Sequence, residues 1–594
     1  MATLSRQPQN QQVTINRRLP LLIAFLVMAG ALLLLALASF QWLSPEVARE
    51  FLQRAQANTT SSRRIPAERG LIYDRDGEPL AFNNIQYEIG VSPNLVTDPV
   101  TVSRELALTL DLDEFEVYRR VTQLGRPWVQ IARPVSAEVG QEIEDNENLA
   151  LSVTINPLSN RFYPQGSLAS QVLGFVIEEN AVGAMGLEAY YNDELVGRVI
   201  DERVSTVPFS VPDTQEEDRQ RGMSLVLTID RDVQFWVETA LEQFVQRYDA
   251  EGGTIIVMEP RTGDILAMFS YPTFDPNDFI NVDDPDLLSN PAISNAYEPG
   301  SVFKVLTVAA AIESGVVTPE WTYNDTGVLE EASIRVLNSD QQAYGVRNGT
   351  DVLVQSLNIG VATMALQMGP DVFYAQMRRF GIGEPTRIDL EGENSGILLE
   401  PGDPNWSESN LLTNSFGQGV SVTPLQMLTA VSAIANDGLM MQPRLVRQII
   451  DGEEVTDLQP VVLRNAISPA TARQVRDMMV RVVNDPDGAP RAGIPGYSIA
   501  GKTGTAQIPI PTGYAVGRDS TITSFVGFLP ADDPRVAVLI RLDRPDGFPD
   551  GYWGSQTTAP AFRDLAARLA ILLGIPDDTL RRTLTAQGGQ VSSP

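Results

Sequence analysis

The residues best suited to do chemistry are Ser301 and Lys304, three apart in the string Glu298-Pro299-Gly300-Ser301-Val302-Phe303-Lys304. Cationic side chains number 44, yet lysine occurs only at Lys304 and Lys502, and every other cation is arginine. Arginine keeps its proton inside a protein, whereas a desolvated lysine gives it up, so these positions have the means to present a neutral amine. Histidine and cysteine are both absent. That excludes Ser-His-acid triads, thiol nucleophiles and ordinary zinc sites. A serine nucleophile in this chain must be activated by a lysine or a carboxylate, and a spacing of three puts Ser301 and Lys304 on one helix face.

The flanking residues predict how the pair is held. Pro299 and Gly300 break the preceding loop, the apolar run 302–314 has helix length, and Gly315 closes it. Ser301 is then expected at a helix N-terminus, where free N–H groups favour developing negative charge. On its own, Ser-x-x-Lys could equally be a helix cap beside a snorkelling lysine. The second lysine shifts the balance. Lys502 lies in Ile499-Ala500-Gly501-Lys502-Thr503-Gly504-Thr505-Ala506, a strand-like run whose glycines admit close approach to the backbone. Between the two lies Ser356-Leu357-Asn358, a weak pattern alone because it also occurs at Ser92-Pro93-Asn94.

Ser-x-x-Lys, Ser-x-Asn and Lys-Thr-Gly, in that order, resemble the active-site set of the penicillin-recognising serine acyltransferases. Further strings point to the class B penicillin-binding proteins. Arg69-Gly70-Leu71-Ile72-Tyr73-Asp74-Arg75-Asp76-Gly77, Arg161-Phe162-Tyr163-Pro164, Leu173-Gly174-Phe175 and Gly186-Leu187-Glu188 resemble their non-catalytic pedestal. Phe416-Gly417-Gln418-Gly419 through Gln426 resembles their transpeptidase domain, and with Tyr297-Glu298-Pro299-Gly300 it favours the division-type branch. Relatives often carry histidine just before the Leu-Gly pair, where this chain has Gln171. The resemblance implies a peptidoglycan D,D-transpeptidase inhibited by β-lactams. In it Ser301 is the nucleophile, Lys304 its base, and Ser356 a proton relay tuned by Lys502. Asn358, Thr503, Gly504 and Thr505 bind substrate. It implies no metal and no cofactor. Because no glycosyltransferase domain is visible, it also implies a separate membrane glycan polymerase and other division proteins as partners. Rival readings keep the same residues: a D,D-carboxypeptidase or β-lactamase-like hydrolase, or a non-catalytic β-lactam sensor or division scaffold.

The rest of the chain fits a wall enzyme on a membrane. A net charge of −31 argues against nucleic acid as a partner. Residues 1–18 are polar with Arg6, Arg17 and Arg18, and the next about 22 residues are uncharged, enough at about 1.5 Å each for the roughly 30 Å hydrocarbon core. Arginines before the span and Glu46 and Glu50 after it place the N-terminus in the cytoplasm. Ala36-Leu37-Ala38 resembles a signal-peptidase site, but the apolar run exceeds the usual h-region, so a retained anchor in the plasma membrane is expected. The expected division is 1–18 cytoplasmic tail, 19–42 anchor, 43–223 pedestal with linker, 224–576 transpeptidase domain and 577–594 loose polar tail. Residues 44–56 read as a helix, 59–64 as a connector, and 202–221, rich in Asp, Glu, Pro and Arg, as a connector or exposed hairpin. Late strands near 497–508, 522–529 and 535–542, after 254–258 and 265–270, predict an α+β fold: a five-stranded antiparallel sheet flanked by helices, on a strand-rich pedestal.

Overall fold

A computed structural model describes residues 12–38, 60–65, 68–146, 148–150, 152–177, 182–197, 200–205, 221–511, 513–515, 520–546 and 553–586. It divides into two units, Met1–Ala67 with Arg198–Gln220, and Glu68–Gly197 with Arg221–Pro594. The helix expected over 44–56 lies outside the described residues.

In the first unit a helix runs Gln12–Ala38, and its stretch Pro20–Ala38 is long and apolar enough to cross a membrane. Of the segments read as connectors, residues 60–64 and 202–205 lie in strands. Thr60–Ile65 pairs antiparallel with Ile200–Ser205, from Thr60 opposite Ser205 to Ile65 opposite Ile200. Each strand satisfies the other's backbone polar groups, which neither could do alone.

The second unit is built on two large sheets, with several two-stranded ribbons beside them. The first runs in the order Glu454–Asp457, Val446–Asp451, Ser224–Leu227, Ile72–Tyr73, Pro79–Val91 and Val129–Val135, with Val153–Phe162 also paired to Pro79–Val91. The expected Asp76-Gly77 hairpin joins two of these strands. Asp74 Oδ1 accepts from the N–H of Asp76 (2.9 Å) and of Glu78 (2.8 Å). Ile72 lies parallel to Leu225, so strands from the pedestal-like segment and from the later chain share one sheet.

The second sheet is the expected five-stranded one. Its strands are β1 (Gly252–Met258), β2 (Ile265–Tyr271), β3 (Ala500–Gln507), β4 (Thr521–Leu529) and β5 (Val536–Asp543), ordered β2-β1-β5-β4-β3 and antiparallel throughout. Nearly every residue of β1, β2, β4 and β5 is buried, as in a sheet covered on both faces. Helices α1 (Arg231–Tyr248), α2 (Lys304–Glu313), α3 (Asn358–Arg379), α4 (Pro424–Ala435), α5 (Pro469–Asn484) and α6 (Thr558–Leu572) surround it. Asp230 caps α1 through the N–H groups of Asp232 and Val233, and Thr423 caps α4 reciprocally with Gln426. α1 and α6 pack on each other and on the sheet, with Phe525 against Phe562 and Arg568 over Trp236; α4 packs on β1, β4 and β5. The tail expected to be loose opens with a helix, Asp578–Ala586, whose first turn donates Leu580 N–H to Asp577 Oδ1 at 2.8 Å.

The pedestal motifs meet in a buried charge cluster. Glu188, with no exposed surface, accepts Arg69 Nε on one oxygen and Arg161 Nε on the other, both at 2.6 Å. Arg161 also donates to Gly70 O and Arg69 to Glu188 O, each at 2.7 Å. Gln171 is buried and accepts Ser270 N–H at 3.1 Å. Removing the central carboxylate would leave two buried guanidinium groups without it. Glu188→Ala should therefore destabilise the fold by about 3–5 kcal/mol. A lowered denaturant midpoint of the detergent-solubilised full chain would register this, and an unchanged midpoint would refute it.

Candidate active site

Ser301 does not open an α-helix directly. It lies in a 3-10 turn, Gly300–Phe303, which feeds α2. Two glycines let this turn press against β3. Gly300 has φ +56°, and a Cβ there would stand 2.6 Å from Thr505 O. At Gly504 a Cβ would meet Ser524 Oγ at 2.3 Å and Pro299 O at 3.0 Å. Any side chain at either position would push the serine turn off the strand. On its other side the turn is tied to the 416–426 stretch: Gly300 N–H donates to Gly417 O (3.1 Å), Tyr297 and Val422 exchange backbone bonds (2.9 Å each), and Gly419 N–H donates to Glu298 Oε1 (2.9 Å). Tyr514 OH also donates to Glu298, and burial raises the Glu298 carboxyl above its ordinary range.

Helix α2 is buried from Lys304 through Ile312, and this takes the amine of Lys304 out of water. Its Nζ donates to Ser356 O at 2.5 Å and to Ser356 Oγ at 3.2 Å. Lys502, on β3 and 1% exposed, approaches the same hydroxyl from the other side. Its Nζ donates to Ser356 Oγ (3.1 Å), Thr503 O (3.1 Å) and Thr503 Oγ1 (3.5 Å). Ser356 holds its position with φ +57°, a left-handed conformation uncommon for a residue with a side chain. Burial, and then the Lys502 charge, push Lys304 well below the ordinary lysine value of 10.5. Burial lowers Lys502 to about 7.

The hydrogen-bond inventory agrees with unequal protonation. An ammonium has three N–H donors and no lone pair; a neutral amine has two N–H donors and one lone pair. Lys502 has three acceptors, which suits the charged form. Lys304 has two, which suits the neutral form and leaves its lone pair available to receive a proton.

Ser301, Ser356, Lys502, Thr503 and Thr505 line one cleft of about 240 Å³. Lys304, Asn358 and Gly504 stand behind that lining. Asn358 Nδ2 donates to Leu337 O at 2.8 Å. Among the described residues no hydrogen bond joins Ser301 to Lys304, whose N–H groups are both directed to Ser356. The cleft also has walls that sequence reasoning missed: Asn338, Asp340 and Tyr344 on one side, Asp487 and Trp553 on others. Trp553 leads into Gly554, whose N–H donates to Thr505 Oγ1 at 3.0 Å. An isolated Trp-Gly pair late in the chain was the one local signal for that wall.

Comparison with known proteins agrees with this geometry. Residues 253–567 match the penicillin binding protein transpeptidase domain family, and residues 64–227 the penicillin-binding protein dimerisation domain family. The chain is 34% identical to stage V sporulation protein D of Bacillus subtilis over 90% of this chain and 83% of that one. It belongs to the penicillin-binding protein transpeptidase family. It is also 28% identical to peptidoglycan D,D-transpeptidase FtsI of Escherichia coli, over 98% of this chain and 96% of that one. The crystal structure of penicillin binding protein 3 of Mycobacterium tuberculosis with aztreonam superposes with a TM-score of 0.67 at 29% identity, covering 87% of this chain and 98% of that one. The class B assignment, the serine-type enzyme class and the α+β fold expected from the motifs stand with these matches.

The lysine pair makes a pH profile diagnostic. If neutral Lys304 is the base and charged Lys502 steers a carboxylate, the second-order rate of acylation by a penicillin should fall on the acid side as Lys304 is protonated. It should fall again above about pH 7 as Lys502 loses its charge. A rate that instead climbs steadily to pH 10 would mean that both amines titrate as ordinary lysines.

Proposed function

We propose that this chain, a class B penicillin-binding protein, cross-links peptidoglycan stem peptides through an acyl-enzyme at Ser301 and serves septal wall synthesis. Ser301 Oγ attacks the carbonyl carbon of the penultimate D-alanine while its proton passes to Lys304 Nζ. Backbone N–H groups of Ser301 and Thr505 receive the oxyanion, a contribution of about 3 kcal/mol per donor in such sites. The amide bond then breaks, and the terminal D-alanine leaves with a proton delivered through Ser356 Oγ. An amine from a second stem peptide attacks the ester carbonyl, forms the cross-link and returns the Ser301 hydroxyl. Lys502, with the Thr503 and Thr505 hydroxyls, binds the donor's terminal carboxylate; Gly504 lets the donor lie along β3, and Asn358 holds its backbone. A β-lactam enters as the donor does and leaves Ser301 acylated.

The observation that carries this reading is the single hydroxyl of Ser356 held between two buried amines beside Ser301. The apolar helix and the arginines ahead of it support a single-pass anchor with a cytoplasmic N-terminus and an extracytoplasmic catalytic domain. A pedestal over 43–223 and a transpeptidase domain over 224–576 would then stand outside the membrane. Pairing with a separate membrane glycan polymerase and with other division proteins belongs to the same reading.

Labelling of the detergent-solubilised full chain by a fluorescent penicillin tests the assignment. Ser301→Ala should abolish labelling. Lys304→Arg keeps a cation and removes the accessible neutral amine, so it should slow labelling by about 100-fold or more. A Ser301→Ala protein that still labels would displace the nucleophile, and an undiminished rate in Lys304→Arg would displace the base.

A further inference from the structure

The segment between α2 and the Ser356 loop folds into two short antiparallel ribbons. Thr322–Asp325 pairs with Gly345–Asn348, and Val328–Glu331 pairs with Ile334–Leu337. None of the three motifs lies in it, yet it supplies Asn338 to the cleft wall. At the junction of the ribbons sits Asp325, 1% exposed. It accepts from Tyr323 OH (3.1 Å), from Gly327 N–H (2.9 Å) and, on both oxygens, from Asn338 Nδ2 (3.1 and 2.9 Å). Asn338 is itself 3% exposed. Its Nδ2 also donates to Gln342 O at 3.1 Å, and its Oδ1 accepts the N–H of Ile359 at 3.3 Å.

Ile359 lies in the first turn of α3, three residues beyond Ser356. The neighbouring Asn358 is tied to the same ribbon end through Leu337 O. The start of α3 is thus fastened at two adjacent points to residues 337 and 338. Leu357 N–H, between Ser356 and α3, donates to Val352 O at 3.0 Å and ties the loop back to the preceding helix. A side-chain-bearing residue persists in the left-handed region only where its surroundings fix it from both directions. The ribbon contributes two of the contacts that fix the segment after Ser356.

We propose that Asp325 is a positioning residue for acylation: it orients the Asn338 amide, which clamps the first turn of α3 and so keeps Ser356 Oγ between Lys304 and Lys502. The inference rests on the catalytic reading above. Asp325 lies behind Asn338 and outside the cleft lining, so its effect passes through the amide and the helix. The carboxylate is needed as an acceptor on both oxygens, because the Asn338 Nδ2 addresses both.

Saturation kinetics of penicillin acylation on the solubilised full chain separate the chemical step from non-covalent binding. Asp325→Asn places an amide donor against the Asn338 donor; the acylation rate constant should fall at least ten-fold, while the dissociation constant of the non-covalent complex stays within about two-fold. Asn338→Ala removes the clamp without burying a mismatched pair, and it supplies the same reading should Asp325→Asn fail to fold. A folded Asp325→Asn or Asn338→Ala protein acylating at the wild-type rate, or one whose loss lies wholly in the dissociation constant, would overturn the proposal. Wild-type protein that does not acylate would instead overturn the catalytic reading.

Discussion

The structure turns on the desolvation of two amines around one hydroxyl. Burying a single ammonium in a protein interior is unfavourable by several kcal/mol, and burying a second beside it adds repulsion. The pair can be accommodated only by unequal protonation, and the acceptors provided match that outcome. Lys502 faces three oxygens, Lys304 two. Ser356 Oγ receives a donor from each, so both its lone pairs are occupied and its own proton is directed elsewhere. A serine so placed can pass a proton to a leaving group without either lysine moving far. The arrangement also weighs on stability. Between about pH 7 and 10.5 the unfolded chain holds the Lys502 proton that the folded chain has lost, so the site's stability cost shrinks as pH rises through that window.

Everything near the cleft then serves to hold three segments at fixed distances. β3 brings Lys502, the Gly300–Phe303 turn brings Ser301, and the loop before α3 brings Ser356. They touch through backbone where side chains would keep them apart, which is why glycine stands at 300 and 504. The five-stranded sheet contributes rigidity: β3 is an edge strand, but it is paired along its whole length to β4, which is buried on both faces. A nucleophile on a regular element next to such an edge is held more tightly than one on a free loop.

How much of this was legible depended on the distance over which each signal acts. The motif residues were visible because their chemistry is written locally: lysine rarity, a serine three residues before one lysine, glycines around the other. The strands of the sheet were visible for the same reason. The 3-10 turn at Ser301 was not, because it is imposed by the approach of β3 and Gly417 to Gly300, contacts more than a hundred residues distant in the chain. The connectors at 59–64 and 202–221 carry polar, arginine-rich sequence that reads as linker until Thr60 is found opposite Ser205. The four-residue strands of the 322–348 ribbons are too short to show an alternation, and with them the Asn338 wall went unseen. The helix Asp578–Ala586 does carry a local signal, since Asp577 and Asp578 form an ordinary acidic helix start.

The chain handles its buried cations in two opposite ways, and the choice of residue follows the need. In the pedestal, Arg69 and Arg161 keep their charges and share Glu188 between them, each through a 2.6 Å contact. A guanidinium cannot shed its proton, so only a counter-charge makes its burial tolerable. In the cleft, among the described residues, the hydrogen bonds of Lys304 and Lys502 go to hydroxyl and carbonyl oxygens and none to a carboxylate. A carboxylate there would restore the ordinary ammonium and remove the base. Under the proposed mechanism, lysine without a counter-ion is what the reaction requires, and arginine with one is what the scaffold requires. That division accompanies a sequence in which lysine stands only at 304 and 502, both buried and both pushed below the ordinary lysine value.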